Sequence, residues 1–187
     1  MSKTVDNTVY LLIGPRGSGK SNYCKILLSS RQDFSLISRD EILVHHFGSA
    51  DTCPYSGGHE FANEEVERLL QSKLSTEKGI SIVLDTWTEE SSERKSLVRR
   101  LREYGATRVV ALYFVTPVKF VKEWFWKKPK IARIGEMGEK ERQGFTFFLD
   151  DTPERDYVIF HKLAAEIDSD GFDEVVRVNP LQKTFVF

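Results

Sequence analysis

Apolar residues recur along this chain in two alternating rhythms. Short unbroken runs such as Val9-Tyr10-Leu11-Leu12-Ile13 end in glycine or polar residues, as strands covered on both faces do. Between them, apolar positions fall three and four apart, the spacing of one helix face. The pattern predicts strands over 9–13, 34–38, 80–84, 109–115 and 175–178. It predicts helices over 21–29 and 40–47, and another through Ala62, Val66, Leu69, Leu70 and Leu74. A further helix opens at Thr88, Glu89 and Glu90 and stops at Gly105; the last two run from 117 to about 126 and over 152–167. Thr152-Pro153 supplies a cap and a first helical residue for the last of these.

Strands alternating with helices imply an α/β fold with a mainly parallel sheet, here five-stranded, with the 34–38 and 80–84 strands flanking the 9–13 strand. Two segments escape the scheme. Residues 48–60 read as a loop through Pro54 and Gly57-Gly58, either shaping specificity or merely flexible. Residues 127–151 hold three glycines and no convincing strand, and their first part, 127–142, carries six Lys/Arg against three Glu. That stretch is either a mobile lid or an ordinary solvated connection.

Composition narrows the class. A chain of 187 residues with 40% apolar content can bury a core, and its length fits one domain over 1–187. The 27 Lys+Arg and 28 Asp+Glu nearly cancel, which argues against a polybasic nucleic-acid binder but allows a local basic groove. The longest uncharged apolar stretch, 109–118, falls well short of the roughly 20 residues a bilayer demands. Residues 1–6 carry no apolar signal segment, and Cys24 and Cys53 have no metal or redox spacing. A cytoplasmic globular protein is expected, with no membrane and no obligate protein partner.

One motif carries chemistry. Gly14-Pro15-Arg16-Gly17-Ser18-Gly19-Lys20-Ser21 fits G-x-x-x-x-G-K-[ST], which random composition would match at roughly 4 × 10⁻⁵ per start. Its glycines let the backbone N–H groups converge on phosphate oxygens, and the following helix adds its positive end. Lys20 would reach the outer phosphates and Ser21 would ligate Mg²⁺, with Asn22 next in the same turn. The motif lies between a buried strand and a helix, so a nucleoside triphosphate site is expected, with ATP and Mg²⁺ as its occupants.

Two aspartates follow predicted strand ends, where open α/β sheets gather ligands. Asp40 is either a general base for an acceptor hydroxyl or a helix cap beside Ser38. Asp85 either helps hold the metal and substrate or closes an Asx turn. Arg39 and Trp87 stand beside them as candidate substrate contacts, Trp87 either walling an acceptor pocket or covering the sheet edge.

These motifs together, 13–21, then Ile37-Ser38-Arg39-Asp40-Glu41, then Val83-Leu84-Asp85-Thr86, resemble the kinase domains of polynucleotide 5′-kinases. They are similar also to the wider group of small P-loop phosphotransferases, zeta-toxin-like and antibiotic kinases included. The resemblance covers roughly residues 8–126. It implies a P-loop NTPase-type three-layer α/β/α sandwich with a mobile lid at about 127–151. It further implies Lys20 and Ser21 at phosphate and metal, Asp40 as the base, and a lid arginine at the transferring phosphate. Arg133 is the first candidate for that arginine, with Arg142 and Lys130 behind it. One departure matters: the family's arginine three residues after the base is Leu43 here, so His45, His46 or Arg39 would have to replace it. A histidine on this apolar helix is read first as packed.

Other features admit plainer readings. Trp124, Phe125 and Trp126 beside Lys127, Lys128 and Lys130 suit base stacking or, preferred, a buried helix end. The helix with Arg94, Lys95, Arg99, Arg100 and Arg102 also carries four glutamates and reads as a solvated face of local ion pairs. Cys24 reads as packed. The expected function is ATP-dependent transfer of the γ-phosphate to a hydroxyl, first of all a polynucleotide 5′-OH. The alternatives are a small-molecule acceptor (metabolite, antibiotic or nucleotide sugar) and a nucleotide-switched binding protein without transfer.

Overall fold

The computed structural model describes residues 6–50, 57–136, 138, 140 and 144–182. Its strands are β1 (Thr8–Ile13), β2 (Phe34–Ser38), β3 (Ser81–Asp85), β4 (Arg108–Phe114), β5 (Ile131–Arg133), β6 (Thr146–Phe148) and β7 (Glu174–Val178). Its α-helices are α1 (Lys20–Ser30), α2 (Arg39–Phe47), α3 (Gly58–Thr76), α4 (Ser91–Tyr104), α5 (Val118–Trp126) and α6 (Thr152–Lys162). Five strands form one parallel sheet in the order β2-β3-β1-β4-β7. The expected P-loop-type architecture, a parallel five-stranded sheet flanked by helices, is the one observed.

Alternation along each strand splits the core between the two faces of the sheet. Val9, Leu11 and Ile13 of β1 join Ile82, Leu84, Val109 and Ala111 beneath residues of α3, α4 and α6. Leu12 joins Val83, Val110 and Leu112 against Tyr23, Cys24 and Leu27 of α1 on the other face. Burying each such Leu or Ile contributes about 1.5–3 kcal/mol, which explains why the interior runs of β1 and β4 are apolar without alternation. Burial in this second cluster also pushes the Cys24 thiol up to about 12, leaving it protonated and inert.

Several sequence expectations need correction. β2 does not flank β1: β3 and β4 do, and β2 lies outside β3. The loop after α2 ends sooner than expected, because Gly58, His59 and Glu60 already belong to α3; its residues 51–56, and with them Cys53, lie outside the described residues. The segment after α5 is not strandless, since β5 and β6 pair in parallel as a small second sheet and a 3-10 turn follows at Ile134–Glu136. α4 starts at Ser91, and Thr88 lies buried ahead of it. α6 ends at Lys162 and gives way to 3-10 turns at Leu163–Ala165 and Ile167–Ser169. His45 and His46 are exposed rather than packed, because only Leu43 of α2 is buried. The His46 ring instead meets Phe61 edge-on at 4.7 Å.

α4 departs furthest from a solvated face of local pairs. Arg94 is fully buried, and its Nε donates to Asp170 Oδ2 at 2.5 Å. Its Nη1 donates to the carbonyls of Thr88 at 3.1 Å and Glu89 at 2.8 Å. Ser91 donates to the other Asp170 oxygen at 2.5 Å. A buried guanidinium is tolerated only with such a partner set, and this one pins the β3–α4 connection. Arg100 and Arg102 likewise reach other elements, Glu67 of α3 and Asp173. At the opposite end of the sheet, buried Asn7 donates to Leu74 and Glu77 carbonyls and accepts from Gly79 N at 2.7 Å. That one amide closes the backbone between α3 and β3.

The glycine turn after β1 packs directly under α5. Gly17 has φ +83°, and a Cβ there would lie 2.4 Å from the Val121 carbonyl oxygen. Two measurements follow from these close fits. Gly17→Ala combines a left-handed backbone with an overlap, so urea unfolding should show a loss of at least about 2 kcal/mol. Arg94→Leu strands the Asp170 carboxylate in the interior and should lower stability by about 3–5 kcal/mol, whereas exposed Arg102→Ala should stay within about 1 kcal/mol.

Candidate phosphate-binding site

The register of the sheet builds the site. Ser38, the last residue of β2, stands opposite Asp85, the last residue of β3. β1 ends beside them at Ile13, so the turn 14–19, the residues after Ser38 and Asp85 all emerge at one edge of the sheet. One cavity of about 560 Å³ opens there. Gly14, Pro15, Arg16, Gly17, Ser18, Gly19, Lys20, Ser21 and Asn22 line one side of it. Arg39, Asp40, Asp85, Thr86 and Trp87 line another, and Trp124, Lys128 and Pro180 complete the wall. The glycine motif with Asn22, and Arg39, Asp40, Asp85 and Trp87, therefore border a single space, whereas Arg133, Lys130, His45 and His46 do not.

The turn is shaped for an anion. Its Lys20 ammonium folds back onto the carbonyls of Gly14 at 2.5 Å and Pro15 at 3.0 Å. Burial lowers that ammonium to about 8, against the pull of Asp85, so it is a cation held where negative charge would relieve it. Ser18 Oγ is buried and has no hydrogen-bond partner among the described residues, while Thr116 Oγ1 fixes the Ser18 carbonyl at 2.7 Å. α1 begins at Lys20 with no side-chain cap, leaving its first N–H groups directed at the cavity mouth. An orphaned hydroxyl, a helix N-terminus and a buried ammonium fit a phosphate chain. The exposed Ser21 hydroxyl and the Asp85 carboxylate are hard oxygen donors of the kind Mg²⁺ takes.

The carboxylates differ in setting. Burial raises the Asp85 carboxyl above the ordinary range, opposed by Lys20 and reinforced by Asp40. Asp40 lies in the first turn of α2 with its side chain largely exposed, 3.6 Å from Arg39 Nη2. It is not the cap of α2: Ser38 fills that role by accepting from Glu41 N at 3.3 Å. The Asp40 carboxylate is thus left to the cavity. Arg39 Nε, beside it, is buried without a hydrogen-bond partner among the described residues.

Arg16 lines the cavity but its guanidinium turns aside, donating to Asp156 of α6 through Nε at 2.6 Å and Nη2 at 3.0 Å. It lies over Trp87 at 5.5 Å and over Phe148 of β6 at 5.1 Å. Trp87 meets Phe160 edge-on at 5.0 Å, so it both walls the cavity and covers the core. Phe125 is buried as a helix end should be, while Trp124 is half-buried and faces Gly19.

Arg133 lies elsewhere. Its Nε pairs with Asp150 at 2.8 Å and its guanidinium stacks on Trp126 at 4.3 Å, so this arrangement does not bring it to the cavity. Lys130 is not among the lining residues either, and Arg142 lies outside the described residues. Lys128, which the sequence offered only as a flank of the aromatic run, borders the cavity instead. Thr86 and Pro180 were also missed. Thr86 closes the quoted 83–86 motif but was given no role there, and only the fold returns Pro180, just past β7, to the glycine turn.

Comparison with known proteins agrees with this geometry. A chain of the Pnkp1/Rnl/Hen1 RNA repair complex aligns with TM-score 0.68 at 16% identity over 88% of this chain and 47% of that one. The chain thus spans about half the length of that relative. Shikimate kinase from Acinetobacter baumannii, in complex with shikimate, aligns with TM-score 0.52 at 17% identity, covering 94% and 86% of the two chains. A fungal RNA kinase aligns with TM-score 0.52 at 15% identity, covering 94% and 75%. At such identities these likenesses carry the fold: a P-loop kinase-like fold close to RNA kinases and to small-molecule kinases. No curated protein matches the sequence. The family model described as AAA domain matches residues 9–137, which span the glycine turn, both aspartates and the start of the segment after α5, and the chain belongs to that P-loop family.

Proposed function

We propose that this protein is an ATP-dependent, Mg²⁺-requiring phosphotransferase that moves the γ-phosphoryl group to an acceptor hydroxyl. The observation that carries the reading is the convergence of Lys20, Ser21, Asp40 and Asp85 on one cavity at one sheet edge. Nucleotide binding alone accounts for the glycine turn; it does not account for an uncapped, outward carboxylate at Asp40 opposite it.

The residues divide the work. Backbone N–H groups of Gly14 and of 16–20 and the Lys20 ammonium hold the phosphates and neutralise charge that spreads onto the outer oxygens during transfer. Trp124 and Pro180 give the base an apolar surface beside Gly19. Asp40 accepts the proton of the acceptor hydroxyl as its oxygen bonds to the γ-phosphorus, and the bond to the bridging oxygen breaks to release ADP. Ser21 and Asp85 hold Mg²⁺, which supplies further charge neutralisation at the phosphates. Lys128, on the cavity wall, is positioned for the part assigned from sequence to Arg133.

Two acceptors remain in play, each with one observation behind it. The buried Arg39 Nε, lacking a hydrogen-bond partner among the described residues, favours an acceptor with a phosphate, such as a polynucleotide 5′ end. Leu43 favours a small molecule: it is 0% exposed and occupies the place of an acceptor-holding arginine.

The test is labelled ATP offered with DNA and RNA 5′-hydroxyl ends, nucleosides and sugars. Asp40→Asn should cut transfer to the productive acceptor by about 10²–10⁴ while a fluorescent ATP analogue binds within threefold of wild type. Wild-type turnover in that variant would remove Asp40 from the base role. Lys20→Ala should abolish transfer and also weaken the analogue, since it removes the cation that both steps use.

A further inference from the structure

A second cavity of about 290 Å³ lies behind the wall of the first, and the two share Thr86 and Trp87. It is built where α3 and α4 diverge beyond the end of β3. Val66 and Leu97 form its apolar part. Around them stand an amide, Asn63, and the hydroxyls of Thr86, Thr88 and Ser96.

Thr88 is the decisive residue. It is 4% exposed, and its Oγ1 is buried without a hydrogen-bond partner among the described residues. Leaving a hydroxyl unmet in the interior costs about 1–3 kcal/mol. Its backbone cannot relax to find a partner, because Arg94 grips the Thr88 and Glu89 carbonyls from within the core. The structure thus holds an unsatisfied hydroxyl rigidly in a residue of the cavity wall, just beneath the accessible surface.

Charge restricts the occupant. Arg100 is the one cation on this lining among the described residues. Its Nε and Nη2 donate to Glu67 Oε1 at 3.1 and 2.9 Å, and its Nη1 donates to Ser96 at 2.8 Å. Glu67 in turn accepts from Tyr104 at 2.8 Å. Glu93 adds a carboxylate with no salt-bridge partner among the described residues. A lining of two carboxylates and one committed guanidinium repels phosphate and carboxylate groups. Hydroxyls and an amide over an apolar floor suit a polyhydroxylated ring, and the excess carboxylate suits an amine on it.

We propose that this second cavity is the acceptor subsite and takes a neutral or amine-bearing polyol of single-sugar size. The bound ring presents a hydroxyl past Thr86 and Trp87 to the nucleotide cavity. The assignment rests on the phosphotransfer reading above, and gives it a substrate class: the acceptor O–H becomes O–P, its proton passes to Asp40, and ADP departs.

Saturation-transfer NMR on the full chain tests the site independently of catalysis, with D-glucosamine and myo-inositol as probes and D-gluconate as the anionic counter-probe. Thr88→Val keeps the shape and removes the hydroxyl; Ser96→Phe fills the cavity from a half-exposed position; thermal melting checks that both fold. Binding of glucosamine or inositol, weakened about tenfold by Thr88→Val and lost in Ser96→Phe, with gluconate silent, supports the subsite. No signal from either polyol at millimolar concentration overturns it, as does a signal that persists in both variants. The same samples with labelled ATP separate the two readings. Polyol binding without transfer to any acceptor supports the polyol site but overturns the phosphotransfer reading and, with it, the acceptor role. Efficient labelling of 5′-hydroxyl oligonucleotides by Ser96→Phe overturns the acceptor assignment and leaves phosphotransfer standing.

Discussion

The steric fit between the glycine turn and α5 governs everything at the sheet edge. At Gly17 the Val121 carbonyl leaves no room for a methyl group, and at Gly19 the Trp124 ring would stand 3.0 Å from one. The turn is therefore held against a helix rather than left as a free loop. Its curl gives Lys20 a fixed perch on the Gly14 and Pro15 carbonyls and starts α1 facing the cavity. Because the helix arrives from a distant part of the chain, the phosphate cradle is a tertiary structure even though its motif is local.

Electrostatics then divides the rim into unlike parts. Burial shifts Lys20 and Asp85 each toward neutrality, and each is held back by the charge of the other. Asp40, exposed and two residues beyond the strand end, acts on both of them, more weakly than they act on each other. An inner carboxylate beside the ammonium and an outer one facing solvent thus sit in unlike settings at one rim. The buried Arg94–Asp170 pair supports it from behind by fixing the connection that carries Trp87 and Thr88.

Much of this was legible in the residues. Continuous apolar runs marked β1 and β4, which are covered on both faces, while β2, β3 and β7 showed as shorter apolar runs broken by Ser35, Ser81 and Arg177. The glycine motif marked the phosphate turn, and strand-end aspartates marked the acceptor side. What the sequence hid has physical causes. Strand order is a matter of which crossover packs where, so β2 was placed next to β1 rather than outside β3. Arg94 carries the same charge as its exposed neighbours, and only the arrival of Asp170, 76 positions later, makes burial possible. β5 and β6 are three residues each, too short for any periodicity. Arg133 was put forward because the resemblance implies an arginine from the segment after α5, whereas Lys128, just past the end of α5, is the residue that borders the cavity.

The bond between Arg16 and Asp156 has a consequence for substitution at either end. Asp156 is 5% exposed and faces a guanidinium wedged among three aromatic rings. Replacing Arg16 leaves a nearly inaccessible carboxylate unpaired, whereas replacing Asp156 leaves a guanidinium that is 39% exposed and can turn to water, so the two substitutions are unequal in cost. A residue formally free within its motif is thereby tied to a helix 140 positions away.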